Sequence, residues 1–146
     1  MKSKTSNKAY FTRGYTISAS HRLHTDALSA EENRSTFGKC NNPHGHGHNY
    51  RIEVTVGGPV SAETGMIINM ATLDAIVGDV VTSRFDHMNL NLDPLFQNHV
   101  STTENLCIAI YEILSTPEIS AILDPATLAK IRIEETENNF FEYSGA

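Results

Sequence analysis

Cysteine is scarce: two in 146 residues, Cys40 and Cys107. That is too few for a disulfide framework, so a reducing, cytoplasmic compartment is the expectation. Cys107 falls in an apolar helical pattern and reads as a small buried hydrophobe. An excess of positive charge is also lacking. Eleven Lys and Arg against 17 Asp and Glu give a formal net charge of -6, which argues against nucleic acid as the main partner. A few local basic residues could still hold a phosphorylated small molecule. No apolar run reaches the roughly 18 residues of a membrane helix, and the opening MKSKTSNKAY lacks the apolar core of a signal peptide. No membrane partner is therefore expected. Internal repeats, linkers and low-complexity blocks are missing as well. What remains, 40% hydrophobic and 19% charged, is ordinary for a folded chain, and the length favours one domain over residues 1–146.

The periodicities define the elements. Residues 10–23 predict a strand with Tyr15, Ile17, Ala19, His21 and Leu23 on one face and Thr16, Ser18, Ser20 and Arg22 on the other. Residues 46–57 predict a second. There His46, His48, Tyr50, Ile52, Val54 and Val56 alternate against Asn49, Arg51, Glu53 and Thr55, and Gly57-Gly58-Pro59 stops the strand. The connection at 24–45 is long enough to suggest a functional loop, with SAEENRS as a short helix. Residues 69–82 carry Leu73, Ile76, Val77, Val80 and Val81 at helical spacing. A second helix at 101–115 has a capping box, Ser101 with Glu104, and a stripe of Leu106, Ile110, Ile113 and Leu114. Residues 117–128 are irregular or short helix; 129–136 and 140–144 form a hairpin whose Asn138-Asn139 turn suits positive φ. This order predicts an α+β fold: a four-stranded antiparallel sheet with two helices on one face. Its two open edges invite oligomerisation.

Chemistry concentrates in the histidines. Side chains on a strand alternate, so His46 and His48 project to the same face, and His21 has matching parity on the adjacent strand. If those strands pair, three imidazoles meet at one point. Zinc suits three histidines and keeps a coordination position open for water or substrate. His44 leaves the register of HGHGH open, as a surface residue, a supporting group or an alternative ligand. Cys40 has two readings: a fourth ligand that closes a structural site, or a free thiol near zinc and Lys39 that transfers protons.

Six ordered blocks then carry a resemblance. FGKCNNPHGHGHNY at 37–50, SASHRL at 18–23, GMIINM at 65–70, FDHMNLN at 85–91, STTEN at 101–105 and EETENN at 134–139 resemble the signature of the 6-pyruvoyl-tetrahydropterin synthase family. His44 departs from it, the family commonly having Asn there. The resemblance implies zinc on His21, His46 and His48, a catalytic thiol at Cys40, and an Asp-His partner pair at Asp86 and His87. It also implies a pterin-anchoring carboxylate at Glu135, and a pocket using Thr102, Thr103 and Glu104. It further implies the tunnelling fold, in which three subunits close their sheets into a barrel and two trimers stack into a homohexamer. The implied reaction is that of a lyase turning 7,8-dihydroneopterin triphosphate into 6-pyruvoyl-tetrahydropterin and triphosphate, in tetrahydrobiopterin biosynthesis.

The residues themselves bear on these implications. Ile131, Ile133 and Glu135 share a strand face, and an ionised carboxylate there is costly unless partnered. A pterin offers two adjacent N–H donors that one carboxylate can accept side by side. Glu134 is the register rival. Adjacent side chains such as Asp86 and His87 face each other only in irregular backbone, and FDHMNLNLDP reads as a loop. Arg13, Arg22 and Lys39 are the nearest basic residues for a triphosphate, with Mg2+ as the companion ion of that group. Thr102, Thr103 and Glu104 also read as plain helix capping. Two alternatives stay open. One is a 6-carboxy-tetrahydropterin synthase of deazapurine biosynthesis, whose cysteine stands three residues before H-x-H, a spacing that Cys40 and His44-Gly-His46 also fit. The other is a non-catalytic zinc-stabilised binding protein.

Overall fold

The structure, a computed structural model, describes residues 7–146; the polar segment MKSKTS lies outside the described residues. Two long antiparallel strands form its spine. β1 (Lys8–His21) pairs with β2 (His46–Pro59) in one unbroken register from Lys8 opposite Pro59 to His21 opposite His46. β2 continues to β4 (Thr127–Thr136), and β4 to β5 (Asn139–Tyr143), both antiparallel. The expected four strands are present. A fifth, β3 (Met88–Asn89), adds a two-residue parallel contact beside Ala19 and Ser20, so the sheet order is β3-β1-β2-β4-β5.

One face of this sheet is buried. Ile17, Tyr50, Ile52, Val54, Ile131 and Ile133 pack there against Leu73, Val77, Val81 and Phe85, and against Leu106, Ile110 and Leu114. Both helical segments thus cover the same face. The predicted helix at 69–82 is not uniform: α2 (Met70–Val77) passes through a π turn at Gly78–Thr82 into α3 (Ser83–Phe85). The core residues Leu73, Val77, Val81 and Phe85 explain this. A spacing of four drifts about 40° per step around a regular α-helix, and one wider turn with i→i+5 bonding keeps the row facing the sheet.

Two local expectations are corrected. The helix α4 (Thr103–Ile113) is capped by Thr102, whose hydroxyl accepts from the Asn105 amide, not by a Ser101–Glu104 box; Ser101 is buried beneath it. The turn between β4 and β5 does not use positive φ: among the described residues outside glycine, only His87 has it, at φ 60°. Of the two readings of residues 117–128, the short helix is the one present: α5 (Pro117–Leu123), started by Pro117 in the first turn. The short helix in the 24–45 connection is present as α1 (Ala30–Phe37), with a complete capping box between Ser29 and Glu32.

The loop after α3 is braced by Asp93. Its carboxylate accepts from Arg84 Nε (2.9 Å) and Nη2 (2.8 Å), and also from the Leu95 amide. The hydrogen bonds from Arg84 hold the Asp93 carboxyl below its usual range. A depressed carboxylate pKa stabilises the fold above the unfolded value, about 3.9, and that contribution is lost as pH falls through the folded pKa. We expect Asp93→Asn to cost about 1 kcal/mol, toward the low end because Arg84 is partly solvated. Urea unfolding at neutral pH and at pH 3 checks this: the gap between wild type and variant shrinks at the lower pH.

Candidate functional site

The β1–β2 register decides the geometry of the histidines. His21 stands opposite His46 and Ala19 opposite His48, so three imidazoles share one patch at the end of the ladder. Their ring centroids are 4.6 Å (His21–His46), 5.2 Å (His21–His48) and 4.8 Å (His46–His48) apart. One nitrogen from each ring lies within 4.8 Å of the other two, an arrangement that could hold a metal ion.

Protonation supports this fit. His21 is buried, and its Nδ1 is 2.6 Å from the Ser101 carbonyl oxygen. A carbonyl only accepts, so Nδ1 carries the proton and donates, leaving the Nε2 lone pair free. That Nε2 faces His46 Nε2 at 3.0 Å. Orientation of a ligating histidine by a backbone carbonyl is the usual support of a metal centre. His48 Nε2 is buried and has no hydrogen-bond partner. Burial lowers the pKa of both His21 and His48, favouring the neutral form that ligation requires. A buried lone pair without a donor is costly, and a cation at the centre of the patch would remove that cost at His48.

Glu135 completes the patch from β4. Between Glu134 (opposite Phe140) and Thr136 (opposite Asn139), the β4–β5 pairing shifts by one residue, and Glu135 is the extra one. On the β2 side the alternation is kept, with Ile133 opposite Ile52 and Glu134 opposite Arg51, so Glu135 falls on the Ile133 face. The Glu135 Oε1 lies 3.3 Å from His48 Nε2 and 3.7 Å from His21 Nε2, close but not aligned as a hydrogen bond with His48. Its Oε2 accepts from Asn139 Nδ2 at 2.9 Å. The side chain is 13% exposed and no Lys or Arg pairs with it among the described residues. Glu134, the rival, belongs to the opposite face, where Arg132 Nη1 donates to it at 2.6 Å.

Two neighbours escaped the sequence reading as site residues. Tyr50 is fully buried, its hydroxyl 3.4 and 3.5 Å from the two ring nitrogens of His21. Burial and then the Glu135 charge push its phenol pKa up, so it stays protonated. Its signal was present, since Tyr50 continues the parity of His46 and His48. The Ser101 carbonyl has no sequence signal of this kind. Thr103 is buried at the start of α4, and its hydroxyl lacks a hydrogen-bond partner; Thr102 caps the helix and Glu104 is exposed.

Cys40 sits half-buried on a 3-10 turn, Gly38–Asn41, and is not one of the clustered ligands. The turn is tied to the end of β1: the Leu23 amide donates to the Cys40 carbonyl (2.8 Å), and Asn41 Nδ2 donates to the Leu23 carbonyl (2.7 Å). His44 is exposed and outside the cluster.

Asp86 and His87 occupy the irregular loop expected of them. The Ser18 amide donates to Asp86 Oδ1 at 2.8 Å, and the His87 amide donates to the Ser18 carbonyl at 2.6 Å, so the pair is docked along β1. His87 Nε2 is 3.6 Å from Asp86 Oδ2, and the ring is 82% exposed. It opens on a cleft with Ser18, His48 and Asn49, which Cys40 does not line. Arg13 is not brought to the site within one chain. It lies eight residues along β1 from His21, about 27 Å away at strand rise, and is bound by Asp74, which also accepts from the Tyr15 hydroxyl. Arg22 and Lys39 line one common cleft.

Residues 10–146 match the 6-pyruvoyl tetrahydropterin synthase family. The 6-pyruvoyl tetrahydrobiopterin synthase of Homo sapiens is 42% identical over 139 residues, covering 94% of this chain and 92% of the relative. That of Poecilia reticulata is 46% identical over 138 residues, covering 93% and 90%. The solved structure of Caenorhabditis elegans 6-pyruvoyl tetrahydropterin synthase is similar with a TM-score of 0.85 at 40% identity, covering 97% of this chain and 98% of that one.

Proposed function

The chain belongs to the 6-pyruvoyl tetrahydropterin synthase family, and from that premise we propose a zinc-dependent lyase that converts 7,8-dihydroneopterin triphosphate to 6-pyruvoyl-tetrahydropterin and triphosphate. The observation that carries the reading is the shared patch of three metal-competent imidazoles and one carboxylate without a cation, Glu135. The imidazoles of His21, His46 and His48 hold zinc, and the carboxylate takes the paired N–H donors of a pterin ring. Zinc, when bound, supplies a Lewis acid for the side-chain hydroxyls.

The reaction needs protons moved at carbon and no external hydride carrier. One proton leaves the first side-chain carbon and the ring is reduced by tautomerisation; triphosphate is then eliminated. Cys40, outside the ligand cluster, is the group that takes and returns carbon-bound protons. His87 exchanges that proton and Asp86 supports its imidazole. The exposure of His87 at the β3 edge supports its delivery across a subunit boundary. Closure of the sheet edges in a trimer, and stacking of two trimers, gives the homohexamer proposed for this single domain in the cytoplasm. Thr103, with its free hydroxyl, and the neighbouring Thr102 and Glu104 complete the pterin pocket. Arg22 and Lys39 serve the triphosphate, with Mg2+ on its oxygens.

The position of His44 outside the cluster favours this reading over the 6-carboxy alternative, because the converging pair is His46 and His48, not His44 and His46. The absence of Cys40 from the cluster favours it over a closed structural zinc site. Incubating the metal-replete protein with dihydroneopterin triphosphate and weighing the product tests it. A carboxylated pterin with loss of a two-carbon fragment would overturn the assignment. We also expect Glu135→Gln to retain zinc but raise the KM roughly 10- to 100-fold, the worth of a charge-assisted hydrogen bond. Steady-state kinetics with metal analysis checks this.

A further inference from the structure

We propose that a small basic cleft beside the metal patch holds the terminal phosphates of the substrate, with Arg34 as a binding residue that sets the preference for a triphosphate. This rests on the pterin triphosphate reading above and deepens it. The cleft, about 220 Å³, is lined by Arg22, Arg34, Lys39, His24, Asn41 and Asn42 among others, and no carboxylate lines it.

Unpaired surface cations are common, so the distribution of pairing matters. Arg13, Arg51, Arg84, Lys130 and Arg132 are each ion-paired, and Lys8 lies over the Tyr10 ring. Arg22, Arg34 and Lys39 make no ion pair among the described residues, and all three line this one cleft. In a chain of net charge -6, three unneutralised cations around one small cavity create a local field suited to a polyanion.

The cleft is also built and connected. Arg22 donates through Nε to the Asn41 carbonyl at 3.1 Å, which fixes the guanidinium while its two terminal nitrogens have no partner among the described residues. Asn41 is itself buried and anchored to the Leu23 carbonyl. Arg22 directly follows the metal-patch residue His21, and the two share the lining of the adjoining cavity. Arg22, His24 and Pro43 line both cavities, so an extended tail can pass from the metal side into the basic cleft. Acidic groups do stand nearby: Asp26, fully exposed, is 3.3 Å from His24 Nε2, and Glu31 and Glu32 lie in the first turn of α1, but none of them lines the cleft or pairs with its three cations. Arg34 reaches the cleft from α1, a helix positioned by the buried Asn33, which bonds Thr25, Leu28 and Ser29.

Arg34→Gln on the zinc-loaded protein tests the proposal. Arg34 is exposed, so the variant should fold. Inorganic tripolyphosphate is titrated by calorimetry, which needs no turnover, and inhibition and KM are measured alongside. We expect tripolyphosphate binding to weaken about tenfold, equal to one charge-assisted contact, with KM rising in parallel. The affinity for unphosphorylated dihydroneopterin, which lacks the group Arg34 contacts, stays unchanged, and Arg34→Lys recovers part of the loss. Unchanged tripolyphosphate affinity in Arg34→Gln, with normal wild-type turnover, overturns the subsite alone. Arg34-dependent tripolyphosphate binding in a wild type that fails to convert the substrate would keep the subsite and remove the lyase reading.

Discussion

Replacing His48 with alanine is expected to strip the bound metal and lower turnover by at least about 10³-fold, because a three-ligand centre reduced to two cannot keep its ion or orient it. The same change should cost the metal-free protein little. In the absence of a cation, His48 Nε2 is a buried nitrogen without a hydrogen-bond partner, and removing it relieves a cost that offsets the lost packing. The two proteins therefore differ mainly in their response to zinc. A ligand that binds only the folded state at 1,000 times its Kd stabilises by about 4 kcal/mol. Wild type should gain several degrees of melting temperature on adding zinc, and His48→Ala almost none. Metal analysis together with paired melting curves checks this. Stoichiometric zinc and normal turnover in the variant would remove the metal centre from the account.

Cys40→Ala is expected to do the opposite: full zinc occupancy, an unchanged melting temperature, and a loss of turnover of about 10²- to 10⁴-fold, the usual contribution of a positioned proton-transfer group. The reasoning is geometric. Cys40 is outside the imidazole cluster, so the ion does not depend on it. Its backbone, not its thiol, ties the turn at Gly38–Asn41 to β1 through the Leu23 amide, so the turn keeps its place without the sulfur. Loss of zinc and unfolding on this substitution would mean that the thiol is a fourth ligand and that the site is structural.

Much of this was legible from periodicity. A strand's period of two is local and rigid, so the common face of His21, His46 and His48 follows once β1 and β2 pair, and the hydrophobic alternation of both strands demands that pairing. The same parity separates Glu135 from Glu134. The helices were legible as apolar rows, but not their irregularity: the π turn at Gly78–Thr82 answers to the packing row of Leu73, Val77, Val81 and Phe85 against a sheet formed elsewhere in the chain. Capping was misassigned by one residue, since Ser101 and Thr102 are chemically similar and only the path of the chain under α4 tells them apart.

The sequence by itself determined the ligand chemistry of this protein: which residue types recur on one strand face, and the ordered blocks that mark the family. Tertiary structure alone decided that the Ser101 carbonyl orients His21, that Glu135 comes within 3.3 Å of His48, that His44 is excluded, and that Arg13 is held by Asp74 far from the patch. The physical reason is range. Side-chain parity is inherited from neighbours one and two residues away, whereas a carbonyl 80 residues distant, or a carboxylate from β4, takes its place only when the whole sheet and its helices close on a common core.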